Sequence, residues 1–324
     1  MIYLITGVCG NIGSYIATQL LELGMDVIGI DIKTKLNLPT AKKLMHFADK
    51  KQRKFIMHWD DLTSPHQLQP IFEQNQLSGI IHLAFILPPF SEMNPERTHH
   101  MHIEGTKNLI TLSKHYQIDV PFIFSSSTTV FGPQKEALID VTCPAKATSQ
   151  YTADKLFCEE MLRISDLNWR ILRFSAVMNA NFRPEKETIK YGLNIDLKTR
   201  IEPVHVKDVT TAVYHALTRK AAEHKILIIA GGEKNQTYYQ EYILKMLSGF
   251  LGDLELDEIP WDKFGHKEYY LHWYNTEESE RILNFQTHTL YDYVQELREK
   301  IRWQEKILIS LVGKKIALKK YFDV

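Results

Sequence analysis

The stretch of sequence that decides the fold is IYLITGVCGNIG, residues 2–13. Its first part is a short apolar run, which predicts a buried strand over Ile2–Thr6. Glycines follow at positions 7, 10 and 13, and a helical pattern begins near residue 12. A glycine-rich turn that leads from a strand into a helix is typical of a phosphate-binding site, because backbone N–H groups lie at the positive end of the helix dipole.

Each glycine meets a different steric demand of such a site. Gly7 permits a tight turn, Gly10 lets a pyrophosphate group approach bare backbone, and Gly13 lets the helix lie close to the strand. The alternative interpretation is a glycine-rich turn that binds nothing. Because the motif lies between a predicted strand and a predicted helix, its position favours a dinucleotide site.

The remainder of the first half alternates short apolar runs with helical patterns. The runs lack polar alternation, which predicts parallel strands covered on both faces. These strands are predicted at 27–30, 55–58, 80–84 and 120–125. Helices are predicted at about 12–23, 65–75, 97–116 and 150–164. This order predicts an α/β fold with a doubly wound parallel sheet, the Rossmann type, and a small C-terminal cap.

The pattern changes in the second half of the chain. Further strands are predicted at 169–174 and 225–230, whereas residues 176–203 show no clear period and are predicted to be loops. Helices are predicted near 208–219, 237–249, 276–284 and 289–312. We therefore divide the chain into a dinucleotide-binding domain, residues 1–174, and a region for the cap and substrate, residues 175–324, which also supplies returning strands and a helical tail.

Two acidic residues follow predicted strands where they could contact an adenosine group. Asp31 ends the second strand, and a carboxylate there can accept both ribose hydroxyls while repelling a 2′-phosphate, which favours NAD over NADP. Asp61 follows the third strand and can accept the adenine amino group, with Leu62 beside the ring. Asp61 could equally be a cap for the helix that begins near Ser64, and both interpretations stay open.

A phenol and an amine lie one helical turn apart further along the chain. Tyr151 and Lys155 are spaced i, i+4 on a predicted helix, so they share a face. A tyrosine pKa of about 10 is too high for a base at neutral pH. We expect a nearby ammonium group, together with an oxidised nicotinamide, to lower it. The serines at 125–127 end another predicted strand, where a hydroxyl can hold the substrate oxygen.

Together these motifs resemble the extended short-chain dehydrogenase/reductases, the NAD-dependent epimerase/dehydratase family. The resemblance covers about residues 1–290 and is carried by GxxGxxG at 7–13, IHLA at 81–84, SSSTTVFG at 125–132, YxxxK at 151–155 and VHVKDV at 204–209. The resemblance implies an enzyme that binds NAD and transfers a hydride at a hydroxyl or carbonyl carbon. A sugar or sugar nucleotide is the substrate class that the family implies.

The family's functional positions can be assigned to this chain residue by residue. The resemblance implies that the cofactor is bound by Gly7, Gly10, Asn11, Ile12, Gly13, Asp31, Asp61, Leu62, Ala84 and Lys155. It implies that Ser127 is the catalytic hydroxyl, Tyr151 the acid/base and Lys155 its partner. Members of the family are often dimers joined by the helix of the tyrosine and the helix before it, so we expect a homodimer.

Three departures from the family pattern bear on the function. His102 stands where asparagine is common, and we favour a packing or backbone-bonding role over a proton relay. Thr128 and Thr129 stand where sugar-nucleotide 4,6-dehydratases carry an Asp–Glu pair, so dehydration lacks its acid and base. The stretch between Arg173 and His205 is shorter than in the sugar-nucleotide epimerases, which indicates a smaller substrate or a weaker hold on a large one.

Two other functions remain open on these residues. One is a dehydrogenase or reductase of a small non-sugar carbonyl compound, favoured by the short stretch before His205. The other is a non-catalytic NAD(H)-sensing protein, against which the complete set of Ser127, Tyr151 and Lys155 argues. The aromatic residues at 261, 269, 270, 273 and 274 could line a substrate pocket, but packing within the cap is the favoured interpretation.

The composition limits the partners. Lysines and arginines balance aspartates and glutamates at 39 each, which favours neither nucleic acid nor an anionic membrane. The three cysteines and a fold that starts at the first residue predict a cytoplasmic protein without a signal peptide.

The histidines at 99, 100 and 102 lack further ligands, so we expect no metal. The basic tail after Arg298 could lie on a membrane surface, but packing on this subunit or a partner is favoured.

Overall fold

The computed structural model describes residues 1–181, 185–267, 269–300 and 318. Within these ranges the strands are β1 (Ile2–Thr6), β2 (Asp26–Ile30), β3 (Phe55–His58), β4 (Gly79–His82), β5 (Phe122–Ser127), β6 (Trp169–Phe174), β7 (Val177–Met178), β8 (Arg200–Ile201), β9 (Val204–His205), β10 (Ile226–Ile229) and β11 (Thr237–Tyr238). The helices are α1 (Gly13–Glu22), α2 (Asn37–Lys50), α3 (Pro65–Gln74), α4 (Phe90–Met93), α5 (Pro95–His115), α6 (Gln150–Arg163), α7 (Lys186–Leu193), α8 (Val206–Thr218), α9 (Tyr239–Leu251), α10 (Glu277–Leu283) and α11 (Leu290–Lys300).

Seven of the described strands form one parallel sheet in the order β10-β6-β5-β4-β1-β2-β3. The chain builds outward from β1 to β3, then returns to the other side of β1 to place β4. A doubly wound sheet leaves a crevice at the carboxyl ends of its strands where the order reverses, here between β1 and β4. The predicted fold class is therefore confirmed.

The helices cover both faces of the sheet, as the unbroken apolar strands require. One apolar cluster packs α1, α2 and α8 on one face, and a second packs α3, α5 and α6 on the other. A third cluster lies in the C-terminal region around α9 and includes Leu318. Each face thus has its own core, and the crevice lies at the edge between them.

The structure corrects the predicted elements in two places. Residues 176–203 are not all loops, because they contain β7, α7 and β8. These elements are two, eight and two residues long, too short to show a period. The sequence analysis also missed α2. Its buried residues are Ala41, Leu44 and Ala48, which give only a weak apolar pattern because two of them are small. The predicted helix at 289–312 is seen over Leu290–Lys300, and its remainder lies outside the described residues.

A buried ion pair fixes α6 to the sheet. Glu159 of α6 accepts hydrogen bonds from Nε and Nη2 of Arg173 on β6, at 3.0 and 2.7 Å. The same carboxylate accepts the hydroxyl of Ser126 on β5 at 2.5 Å. Because all three side chains are buried, removing one charge would leave the other without compensation.

We predict that Glu159→Ala lowers the free energy of unfolding by about 3–5 kcal/mol, because Arg173 is left as an unpaired buried charge. The matched control is Glu160→Ala, which removes an exposed partner of Arg163 at the next position. That control is expected to change stability by less than about 1 kcal/mol. Urea denaturation measures both, and similar losses in the two variants would contradict the assigned role of Glu159.

Candidate active site

A cavity of about 1100 Å³ lies at the carboxyl ends of the strands, where the strand order reverses. It brings together every residue that the sequence assigned to the site. Its lining includes Gly7, Gly10, Asn11, Ile12, Gly13, Asp31, Asp61, Leu62, Ala84, Ser127, Tyr151 and Lys155. Their common location follows from the parallel sheet, because the ends of β1, β2, β4 and β5 meet at one edge.

The glycine turn is sterically closed to side chains. Gly7 has φ +70°, and a Cβ there would lie 3.0 Å from the backbone N and Cα of Ala84. A Cβ on Gly13 would clash with the carbonyl oxygen of Gly7 and lie 2.9 Å from the Cα of Val8. The turn therefore brings α1 against β1 and forms a backbone cradle of the kind that binds phosphate groups.

The Asp31 carboxylate is held at the end of β2. Its Oδ2 accepts the backbone N–H of Cys9 at 2.8 Å, and its Oδ1 accepts the N–H of Ile32 and the amide of Asn37 at 2.8 and 3.0 Å. Burial raises its pKa, and the backbone hydrogen bonds oppose that rise. Because it is held on both oxygens and lines the cavity, the carboxylate is positioned to accept hydroxyl groups of a ligand.

Asp61 and Leu62 lie further along the same side of the cavity. Asp61 Oδ1 accepts both the N–H and the hydroxyl of Thr63 at 2.9 Å, so it stabilises the turn before α3. Leu62 is buried, and its carbonyl accepts the side-chain amide of Asn108 at 2.8 Å. Asp61 therefore bonds the turn before α3, and no side chain caps the N–H groups of α3 itself. Its contact with adenine remains a prediction.

The start of α6 is fixed by several caps. Ser149 and Thr152 form a capping box, and Glu92 accepts the N–H groups of Gln150 and Tyr151 at 3.2 and 3.1 Å. These contacts satisfy N–H groups that a helix start leaves free. They also set the position of Tyr151 at the wall of the cavity.

The Ser127 hydroxyl bonds the Tyr151 phenol and lies 2.8 Å from the hydroxyl of Thr129. Burial raises the pKa of Tyr151, and the bond from Ser127 opposes the rise. The expected lowering of this pKa by Lys155 is therefore absent in this structure. Burial penalises the phenolate, and Lys155 itself lies in an environment that disfavours its charge.

The Lys155 amine lies under aromatic rings. Its Nζ is 3.3 Å from the centroid of Phe85 and 4.8 Å from that of Phe124, and it donates to the carbonyl of Ser125. Burial lowers the pKa of Lys155 to about 7 despite nearby acidic groups. The amine can therefore gain or lose a proton near neutral pH.

His102 connects the strand end to α6. Its Nε2 accepts the backbone N–H of Ile86 at 2.9 Å, and its Nδ1 lies 2.8 Å from Oδ2 of Asp154. Its ring stacks on Phe85 at 4.0 Å between centroids. Because Nε2 accepts the N–H of Ile86, the ring is neutral and donates its Nδ1–H to Asp154. Burial lowers the pKa of His102. These contacts support the backbone-bonding role over a proton relay.

The neighbouring histidines do not converge on one point. His99 lies 2.6 Å from Oδ1 of Asp154, while His100 is exposed. Among the described residues no cluster of three or more His, Cys, Asp or Glu side chains could hold a metal ion. The same part of the chain contains no helix that combines the length and the apolar character needed to cross a bilayer.

Sequence reasoning missed several side chains at the site. Phe85 directly follows Ala84 and covers Lys155, so its position was a usable signal. Asn179 is buried and donates to the carbonyl of Asn11 at 3.1 Å, although it lies in a predicted loop. Asp154, between Tyr151 and Lys155, was passed over because its partners on α5 are more than fifty residues away. Of the predicted aromatic group, Tyr269 lines the cavity, whereas Tyr274 is buried against Phe131.

The sequence matches to known proteins cover only part of each relative's length. A UDP-glucose 4-epimerase of Schizosaccharomyces pombe is 32% identical over 181 residues, which are 53% of this chain and 50% of that protein. UDP-glucose 4-epimerase 2 of Arabidopsis thaliana is 30% identical over 173 residues, 52% and 49% of the two chains. The matches thus span about half the length of these curated relatives.

Solved structures share the fold along nearly the whole chain. A UDP-glucose-4-epimerase from Stenotrophomonas maltophila, with bound NAD and formylated UDP-arabinopyranose, superposes with a TM-score of 0.76 at 17% identity and covers 97% of this chain and 100% of that one. The enzyme from Bifidobacterium longum in complex with NAD+ and UDP gives 0.75 at 19% identity, covering 94% and 98%.

The family model described as GDP-mannose 4,6 dehydratase matches residues 4–246, from β1 into α9. The matched stretch includes the glycine turn, Asp31, Ser127, Tyr151 and Lys155, which the structure brings to one cavity. The chain therefore belongs to the GDP-mannose 4,6 dehydratase family, within the extended short-chain dehydrogenase/reductases that include the NAD-dependent epimerases and dehydratases.

Proposed function

We propose that this chain is an NAD-dependent oxidoreductase or epimerase that acts by hydride transfer on a hydroxyl or carbonyl carbon of a small molecule. The observation that carries the proposal is the meeting of the Ser127 hydroxyl, the Tyr151 phenol and the Lys155 amine in the cavity that the glycine turn also lines. Together with family membership, this argues against a protein that only senses NAD(H).

The cofactor residues fit a dinucleotide. The turn of Gly7, Gly10 and Gly13, with Asn11 and Ile12 between them, is packed so closely that a Cβ at 7 or 13 would meet neighbouring backbone, which leaves its backbone N–H groups bare for phosphate. At the other end, we assign Asp31 to the adenosine ribose, Asp61 and Leu62 to adenine, and Ala84 to a backbone contact. When bound, the cofactor supplies the nicotinamide carbon that accepts or returns a hydride.

The remaining site residues bind the substrate oxygen and move its proton. Ser127 holds that oxygen by a hydrogen bond, and Tyr151 takes or returns the hydroxyl proton. Lys155 holds the nicotinamide ribose and, when charged, favours the phenolate of Tyr151. Since the positions beside Ser127 carry Thr128 and Thr129, which line the cavity without a carboxylate, we do not propose dehydration.

Two substrate classes follow from different observations. The curated relatives are UDP-glucose 4-epimerases, so a sugar or sugar nucleotide is the first candidate. The apolar lining of the cavity beyond Tyr151 favours the second, a dehydrogenase or reductase of a non-sugar carbonyl compound. Absorbance at 340 nm separates the two reaction types, because an epimerase returns the hydride and shows no net change.

We also propose how the chain is organised. Residues 1–174 hold the cofactor and residues 175–324 complete the substrate side. A homodimer would pair α5 and α6 with their copies, which is supported by the exposed Phe157 and Ile164 at α6. The three cysteines are unpaired thiols, which supports a cytoplasmic location.

We predict that Tyr151→Phe lowers kcat about 10²–10⁴-fold, because the group that moves the hydroxyl proton is lost, while NAD affinity stays within about twofold. Turnover is followed at 340 nm and by chromatography of products. Tyr116→Phe, at the far end of α5, is the control and should retain full activity. Equal activity of wild type and Tyr151→Phe would instead favour the NAD(H)-sensing alternative.

We predict that Asp31→Asn weakens NAD binding about tenfold and narrows the preference for NAD over NADP. The substitution removes the charge that accepts the ribose hydroxyls and repels a 2′-phosphate. Titration calorimetry with both cofactors measures this. Asp26→Asn, at the opposite end of β2, is the control, and an unchanged NAD-to-NADP ratio in Asp31→Asn would refute the assignment.

We predict that Lys155→Met raises the unfolding free energy of the cofactor-free protein, and that this gain shrinks as pH rises from about 7 to about 10.5. Burial lowers the pKa of Lys155 from 10.5 to about 7, so the folded state carries the full charge-burial penalty below pH 7. Above pH 7 the folded state has lost the proton while the unfolded state still carries it. The penalty therefore falls as pH rises and reaches zero near pH 10.5. Denaturant titrations across this range test the trend, with the exposed Lys114→Met as control. A gain that is constant with pH contradicts it.

A further inference from the structure

We infer that the substrate half of the cavity takes an apolar alcohol or ketone, a compound whose reacting oxygen is attached to a hydrocarbon body. The inference rests on the proposed function and names the substrate class of that same site. It starts from the part of the cavity beyond Tyr151, where α7 and α9 form the walls. We call this part the apolar chamber, lined by Ile189, Leu193, Ile243, Met246, Leu247 and Phe250.

The apolar chamber follows from the sequence of α9. Positions 239, 243 and 247 recur every four residues, and so do positions 242, 246 and 250, so the two rows lie side by side on one face. All six residues line the cavity. The row at 242, 246 and 250 is half-buried at the cavity wall, whereas the row at 239, 243 and 247 packs behind it in the third apolar cluster.

Three tyrosines beside the apolar chamber have their hydroxyl groups engaged by the protein itself. Tyr239 donates its hydroxyl to the carbonyl of Gly192 at 3.1 Å, and the phenols of Tyr191 and Tyr269 bond each other. Burial raises the pKa of Tyr269, and the nearby Tyr151 contributes to that rise, so the two phenols lie close together. The apolar chamber therefore extends up to the acid/base and presents chiefly ring faces and alkyl groups to a ligand.

Charge is confined to the cofactor end. Among the described residues that line the cavity, the charged ones are Asp31, Asp60, Asp61 and Lys155. The acids lie with the adenosine side, and Lys155 bonds Ser125 under Phe85. Among the described residues that line the apolar chamber, a diphosphate would find no cationic side chain, and burying an unpaired charge is strongly unfavourable. A hydrocarbon body gains by the same burial.

The test measures binding of 2-alkanones from 2-butanone to 2-decanone to the full chain loaded with NAD. Ketone and cofactor are then both oxidised, so calorimetry records binding without reaction. We expect the affinity to rise about fourfold for each added methylene until the apolar chamber is filled. UDP and UDP-glucose are titrated in parallel and should bind more weakly than 2-octanone.

A variant pair locates the binding site. Met246→Gln places an amide of similar length in the apolar chamber and should weaken 2-octanone binding about tenfold, while NAD affinity is unchanged. Lys245→Gln, at the adjacent exposed position of α9, should leave both affinities unchanged.

The outcomes separate this inference from the proposed function. If NAD does not bind, the proposed function fails. If NAD binds but affinity does not rise along the ketone series, or Met246→Gln has no effect, the apolar substrate class is refuted while the proposed function stands. Tighter binding of UDP-glucose than of any ketone would likewise refute it.

Discussion

The attachment of α6 to the central sheet determines the geometry of the candidate active site. Glu159 binds Arg173 and Ser126 in the core, so the helix is joined to β5 and β6 by buried charged groups. Because Tyr151 and Lys155 lie on the same helix as Glu159, the anchoring contact also sets their depth. The carboxyl end of β5, which carries Ser127, lies beside Tyr151 and Lys155, and the Ser127 hydroxyl interacts with the Tyr151 phenol.

Burial shapes the electrostatics of this site. It raises the pKa of Tyr151 and lowers that of Lys155 to about 7, so burial penalises the charged form of both groups. Burial of the adjacent Asp154 opposes its charge, but hydrogen bonds from His102 and His99 lower its pKa overall. A cationic ligand ring beside Tyr151 would favour the phenolate and oppose charge on Lys155. The protonation of Tyr151 and Lys155 therefore depends on the charge of what the site binds.

Much of the cofactor side could be predicted from the sequence, because its signals are local. The glycine turn, Asp31 at the end of β2 and the Tyr151–Lys155 spacing each lie within a few residues of the element that carries them. The fold class was equally accessible, since β1, β2 and β4 are unbroken apolar runs. The helix α2 was missed because its buried side includes Ala41 and Ala48, whose small side chains give little periodic signal.

The sequence by itself determined the strands of the central sheet and which end of each strand carries reactive groups, because these depend on spacing along a few residues. Only the tertiary structure decided what those groups meet. The bond from His102 to Asp154 crosses 52 residues and that from Asn179 to Asn11 crosses 168, so no local pattern reports them. The apolar chamber is decided in the same way, because its walls come from α7 and α9 and acquire a shared surface only when the chain folds back over the crevice.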